Sequence, residues 1–242
     1  ADTNTAALSH VSASGARVYG GLIESGFAYP YPVSTSSDSS DGVLSSVSLS
    51  ASGNGVFLEQ SSAGDVYGGT IRTGGQTYAY PSFQRSAAAP EFAIIPPPTA
   101  FTAHADGNTV GIADSSAVSG DVHGGLIEYG MSGSVMETPV LMMSFLVPDP
   151  VQPEAAPVVF HGSADSNTVS IAGTLTVDGN VYGGIVRVSP ASVDALAQSE
   201  FSVTAEKNTV ILAGGSTVSG SVYGGSVFGS SAGAEVSEES FQ

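Results

Sequence analysis

One motif occurs five times in this chain, and it restricts the fold more than any other feature. Each copy begins at an Asn and ends in a hydrophobic-Tyr-Gly-Gly signature. The copies are Asn4–Gly21 (NTAALSHVSASGARVYGG), Asn54–Gly69 (NGVFLEQSSAGDVYGG), Asn108–Gly125 (NTVGIADSSAVSGDVHGG), Asn167–Gly184 (NTVSIAGTLTVDGNVYGG) and Asn208–Gly225 (NTVILAGGSTVSGSVYGG). The Asn lies 15 residues before the aromatic residue in four copies and 13 in the second, and His123 takes the place of Tyr in the third. From one signature to the next the distance varies between 41 and 59 residues. A constant interior with variable spacers is one supersecondary unit, repeated and decorated. The repeat cores 4–25, 54–72, 108–128, 167–187 and 208–228 therefore predict a single repeat domain over residues 1–242, with Pro/Ser-rich spacers and an acidic tail at 229–242.

Within a copy, Val110 and Ile112 alternate with small or polar residues, as do Val169 and Ile171, and Val210 and Leu212. Period-two patterning predicts a strand after each Asn. A second strand carries the signature, for example Asn180–Val186. A third precedes the Asn, at Phe101–Ala105, Val159–Gly162 and Phe201–Ala205. Repeat one starts at Asn4 and lacks this third strand. The linking sequences Asp106-Gly107-Asn108 and Glu206-Lys207-Asn208 have hairpin-turn chemistry. They predict a unit of one hairpin followed by a Gly-rich strand. Helical periodicity is absent, and Ser192–Ser199 (SVDALAQS) is the one helical turn expected.

The fold class is all-β, and two architectures meet these constraints. A β-solenoid stacks the repeats in a line; a five-bladed β-propeller closes them in a ring. The solenoid is preferred because the units are rich in Gly, Ser and Ala and the chain has no Trp, whereas blade cores usually need bulkier residues.

Two columns follow from aligning the copies. Five positions after the aromatic residue stand Glu24, Arg72, Glu128, Arg187 and Phe228. Side by side they make a ladder of alternating charge that sets register, since like charges directly opposite destabilise; the simpler reading is chance on a solvated face. Tyr19, Tyr67, His123, Tyr182 and Tyr223 predict an aromatic stack. Packing between repeats is preferred over a ligand platform, with Gly-Gly permitting a tight bend or close backbone approach.

Composition excludes several functions. The net charge is −17 with five cations, and charged residues are 11% of the chain. Phosphate neutralisation needs clustered Lys and Arg, so neither nucleic acid nor an anionic membrane surface is an expected partner. No apolar run reaches spanning length. The longest, Val140–Val147, is strand-sized and bounded by Pro139 and Pro148. With no Cys, disulfide and thiol chemistry are excluded. The four His residues show no zinc spacing, and no GxSxG elbow or calcium-loop pattern occurs. Asp65 and Asp121 share a repeat position with Asn180 and Ser221, which reads as turn chemistry rather than an acid pair. No Lys follows the Gly-Gly pairs as a phosphate loop requires. The chain is accordingly read as a non-enzyme with no catalytic residue, metal or cofactor.

The NTVxI…VSGxVYGG pattern, present in five segments covering about a third of the chain, resembles repeats in the passenger regions of bacterial autotransporter-type surface proteins. That resemblance implies an extracellular or cell-surface β-helical stalk or adhesin. The sequence departs from it in having no C-terminal membrane barrel and in its long Pro-rich spacers. A start at Ala1 rather than Met is what signal-peptide removal leaves; a trimmed chain starts the same way. The tail, with Val236 and Phe241, is long enough for one strand of the type repeat one lacks. It could close a ring within one chain or complete a neighbour's first repeat. No repeat looks like a polar cap, and open solenoid ends expose unpaired edges. The expected partner is therefore a second copy, in a head-to-tail fibre. The alternative is a glycan-binding or glycan-cleaving protein acting through spacer loops, where Tyr29, Tyr31, Tyr78 and Tyr80 would pack on sugars.

Overall fold

Within the repeats, each strand-forming segment pairs with its own counterpart one repeat away and not with its neighbour in sequence. The computed structural model describes residues 1–26, 46–75, 81–85, 90–94, 100–131, 159–189 and 200–229. The repeats form a parallel β-solenoid of five rungs stacked in chain order. The linear order, with no closure between the first and fifth rungs, disposes of the propeller.

Four kinds of strand make a rung. A lead strand comes first: Ser46–Ser50, Ala100–His104, Val159–Ser163 and Glu200–Thr204. The Asn strand follows: Thr5–Ser9, Gly55–Glu59, Thr109–Ala113, Thr168–Ala172 and Thr209–Ala213. A two-residue corner strand is next: Ser12–Ala13, Ser62–Ala63, Ala117–Val118, Thr176–Val177 and Thr217–Val218. The Tyr strand completes the rung: Val18–Gly26, Val66–Gly75, Val122–Met131, Val181–Ser189 and Val222–Gly229. Like pairs with like, in parallel, so the repeat alignment is also the hydrogen-bond register: Val110 faces Val56 and Val169, and Ile112 faces Leu58 and Ile171. The lead sheet has four strands and the other three sheets five, because among the described residues rung one has no lead strand. Between the second and third rungs, Pro81–Arg85 and Pro90–Ile94 form an antiparallel pair.

The expected hairpin is corrected here. The lead strand does not fold back on the Asn strand; the chain turns a corner between two parallel sheets. One residue of positive φ makes that corner in every rung: Thr3 (57°), Gly53 (67°), Gly107 (63°), Ser166 (57°) and Lys207 (55°). A type I′ hairpin needs two such residues in succession. The corner amides are satisfied across rungs instead, Gly53 N donating to Asp106 O and Gly107 N to Asp165 O, each at 2.9 Å. Ala1-Asp2-Thr3 supplies the corner of rung one, with Thr3 N donating to Ser52 O at 3.0 Å.

The interior is divided into two cores. One is built from the Asn strands, the corner strands and the first residue of the Tyr strand in rungs one to four, with Leu58, Ile112, Ile171 and Val122 at its centre. The other joins the lead strands to the later half of the Tyr strands, through Phe101, Phe160, Ile127 and Tyr129. A waist separates them, and the Asn side chains and the Gly-Gly pairs meet there.

Candidate functional site

The Asn that opens each repeat forms a ladder along the waist. From the second rung on, the Oδ1 of the Asn accepts two hydrogen bonds from the preceding rung, one from the Asn backbone N–H and one from its Nδ2. Asn4 donates to Asn54 at 2.9 and 3.1 Å, and Asn54 to Asn108 at 2.9 and 3.1 Å. Asn108 donates to Asn167 at 2.9 Å through both atoms, and Asn167 to Asn208 at 2.9 and 3.0 Å. Asn54, Asn108 and Asn167 are buried. Buried polar groups must be paired, and this ladder pairs them across rungs. It also accounts for the Gly-Gly. A Cβ on Gly69 would stand 2.6 Å from Asn108 Nδ2, and one on Gly125 would stand 2.6 Å from Asn167 Nδ2. Both glycines of a pair face the waist. The in-out alternation of the Tyr strand therefore shifts by one position there, and the ladder register skips Gly68, Gly124 and Gly183.

Acidic and amide side chains form two further columns. Asp65 Oδ1 accepts from Asp121 N at 3.0 Å, Asp121 Oδ1 from Asn180 N at 2.7 Å, and Asn180 Oδ1 from Ser221 N at 2.9 Å. Arg17 occupies this position in rung one and donates Nε to Asp65 at 3.3 Å. At the lead corner, Asp106 Oδ1 accepts from Asp165 N at 2.8 Å and Asp165 Oδ1 from Glu206 N at 2.7 Å. These carboxylates satisfy backbone N–H groups of the next rung. Asp65 and Asp121 thus cap amides one rung away rather than within their own turn.

On the outer face of the Tyr sheet, Tyr19, Tyr67, His123, Tyr182 and Tyr223 stack in one column. Successive centroids are 4.8, 5.0, 5.0 and 5.1 Å apart, with interplanar angles of 8° or less. Beside it, Glu24, Arg72, Glu128, Arg187 and Phe228 face one another in register. Arg72 donates to Glu128 at 2.9 Å, to Glu24 at 3.5 Å and to the Tyr19 hydroxyl at 3.2 Å; Arg187 donates to Glu128 at 3.0 Å. The Arg72 guanidinium also lies 5.5 Å from the Tyr67 ring centre, within cation–π range. Reversal of this charge, Arg72→Glu, sets three carboxylates in a row. It is expected to cost about 1–2 kcal/mol, more than any single exposed pair contributes. Thermal melts compared with Arg85→Glu check this, and equal losses would remove the ladder's role in register.

His123 is the odd member of the stack. Its ring is 2% exposed and its Nδ1 has no partner. Burial pushes its pKa down from 6.5 to about 4; the nearby Arg187 charge adds to this, and Asp121, Asp65 and Glu128 oppose it. The unfolded chain binds this proton more readily than the folded one. The stability held by the neutral ring is therefore intact above about pH 6.5 and is lost as pH falls toward 4. The span corresponds to about 3 kcal/mol. Urea titrations of the wild type and His123→Tyr across that range are expected to diverge progressively toward acid, the variant losing less. Parallel curves would contradict the assignment.

The ladders stop at rung five, and the core is open there. Leu212 is 44% exposed and Val222 38%, whereas their counterparts in rungs two to four are 0–1% exposed. Ile211, Tyr223 and Phe228 are exposed in the same rung, as is Val11 in rung one. Asn208 Nδ2 is buried without a hydrogen-bond partner.

One grouping was not legible in the sequence. His104 Nδ1 lies 2.7 Å from Ser163 Oγ, which donates to Asp106 Oδ2 at 2.8 Å. A hydrolytic relay places His between Ser and the acid. Here Ser163 stands between them, and Asp106 is also engaged by the Asp165 amide. The arrangement ties side chains of two adjacent rungs together without the order that activates a nucleophile. Among the described residues no cluster of His, Cys, Asp or Glu suits a metal ion, and no helix is long and apolar enough to cross a membrane. Tyr29, Tyr31, Tyr78, Tyr80, Val236, Phe241 and the expected helical turn at 192–199 lie outside the described residues. No protein-family model matches this chain, and no curated protein or solved structure matches it.

Proposed function

We propose that this chain is a non-enzymatic structural protein of the bacterial cell surface or extracellular space, built to associate head to tail into a fibre or scaffold and to serve adhesion. One observation carries the reading: the core columns that are sealed inside rungs two to four are uncovered at rung five, with Leu212 and Val222 open to solvent. An apolar core cut across its stacking direction favours burial against another rung. The described ladders also spend their polar side chains on holding rungs together, which is the economy of a scaffold. Extracellular placement rests on the resemblance of the NTVxI…VSGxVYGG repeats to autotransporter-type passenger regions. Sedimentation velocity over a wide concentration range tests the self-association. Species at multiples of the 24.1 kDa chain are expected, and a single monomer boundary at every concentration would overturn it.

A second reading, glycan binding, draws on Phe57. Its ring lies open on the outer face of the Asn sheet above Gly55 and Gly111, in a shallow groove that also takes in Glu59 and Asp114. An exposed flat ring beside carboxylates suits the apolar face and hydroxyls of a sugar. Glycan-array signal lost in Phe57→Ala would favour it; an array without signal would dismiss it.

A further inference from the structure

We infer that the surface on which rung five docks is rung one of a second copy, in one register, with Asn208 of one molecule donating to Asn4 of the next. This rests on the self-association proposed above and specifies its interface.

The ladders have direction, and their two ends are complementary. Along the Asn ladder, donors point from each rung to the next. At its last rung, Asn208 Nδ2 is buried without an acceptor, and the Asn208 backbone N–H, which donates onward in every other rung, has no partner among the described residues. At its first rung, Asn4 donates both groups to Asn54, and its own Oδ1 accepts nothing from the described residues. The unfilled donors at one end thus match the unfilled acceptor at the other. A buried donor without a partner is costly, and another Asn Oδ1 at the rung spacing is what the ladder uses everywhere else.

The two carboxylate-and-amide columns run the opposite way, and they match as well. Each side chain there accepts from the backbone N–H of the following rung. Rung five ends these columns with acceptors, Ser221 and Glu206. Rung one begins them with the amides of Arg17 and Asp2, neither of which has a partner among the described residues. Three columns of two polarities therefore all close in the same head-to-tail arrangement. Pairing rung five with rung five would set donor against donor at the Asn ladder, and rung one with rung one would set acceptor against acceptor.

Shape agrees with polarity. Rung one and rung five both have the 15-residue arc from Asn to Tyr, which the second rung lacks. Stacking them places Tyr19 on Tyr223 and Ala6, Leu8 and Val18 over Val210, Leu212 and Val222, continuing the aromatic and core columns. The parallel sheets supply unpaired edges in the same sense at both ends. A contact that joins different faces and does not close gives a linear polymer.

Two substitutions separate the interface from the fold. Asn208→Asp keeps an oxygen that accepts from Asn167 and replaces the outgoing Nδ2 donor with a carboxylate oxygen, which would face the Oδ1 of an incoming Asn4. Asn4→Ala keeps the backbone bond to Asn54 and removes the incoming acceptor, together with the part-buried Nδ2 bond to Asn54. Each variant alone is expected to raise the concentration for polymerisation by about tenfold or more, the consequence of one unpaired junction, with an unchanged circular-dichroism spectrum. Mixed in equal amounts, Asn4→Ala molecules offer an intact rung five and Asn208→Asp molecules an intact rung one. The mixture is expected to stop at dimers of twice the 24.1 kDa chain. A wild type that polymerises while either variant polymerises equally well, or while the mixture stays monomeric, overturns this interface and leaves self-association standing. A wild type that remains monomeric, its rung five capped by residues 230–242 or left open, overturns both.

Discussion

Gly124→Ala is expected to destabilise the solenoid by about 4 kcal/mol or more, or to prevent folding, although it adds one methyl group. The added Cβ would press on the Gly183 carbonyl oxygen and stand 2.9 Å from the Asn167 Cβ. Neither obstacle is the end of a flexible side chain, so the rungs themselves would have to part. Parting them stretches the Tyr-sheet hydrogen bonds and the Asn108–Asn167 bonds together. Losses of this size arise when overpacking breaks a buried network as well. Gly130 lies in the same strand, and a Cβ there would meet nothing within 4 Å. Gly130→Ala is therefore the matched control, with a change within about 0.5 kcal/mol. Denaturant midpoints of the two variants decide the matter. Similar midpoints would mean that the waist tolerates side chains and that the Gly-Gly has another cause.

Asn108 carries the second large effect. Asn108→Ala leaves the Asn54 N–H and Nδ2 without the oxygen that both use, inside a waist where Asn108 is fully buried. Two buried donors without partners cost about 2–6 kcal/mol together. Asn108→Asp retains that acceptor, but it turns a second carboxylate oxygen toward Asn167 Oδ1, where Nδ2 now donates at 2.9 Å. At neutral pH a buried charge faces an acceptor, and the cost exceeds that of the Ala variant. Protonation converts the offending oxygen into a donor. The folded-state pKa of the introduced Asp is thus raised, and the variant regains stability as pH falls through that value toward the unfolded value of about 3.9. Relative to Asn108→Ala, Asn108→Asp should be weaker at pH 7 and stronger near pH 4. An Asp variant that loses stability in parallel with the Ala variant throughout would contradict the ladder's hydrogen-bond assignment.

The repeat alignment predicted much of the register because parallel solenoid strands pair position for position. Counting five residues from the aromatic was enough to place Glu24, Arg72, Glu128 and Arg187 in one column. The reason for the invariant Asn and Gly-Gly was not legible. Within a copy they are 16 residues apart, yet the contact is between Gly124 of one rung and Asn167 of the next. Local turn chemistry misled in the other direction. Asp106-Gly107-Asn108 reads as a reversing turn, but one positive-φ residue followed by a strand gives a corner, and the hydrogen bonds that decide between them come from a repeat away. The directions of the ladders, which bear on assembly, depend on side-chain rotamers that no alignment of copies contains.

In the assembly we propose, one chain is a five-rung segment of a continuous solenoid. Averaged electron micrographs of the assembled protein test it through their power spectrum. Parallel rungs repeat at about 4.8 Å along the axis, and five of them per molecule give an axial repeat of about 24 Å. The expected result is a filament with both spacings on the meridian. Filaments without the 4.8 Å reflection, or a subunit repeat unrelated to five rungs, would contradict the account.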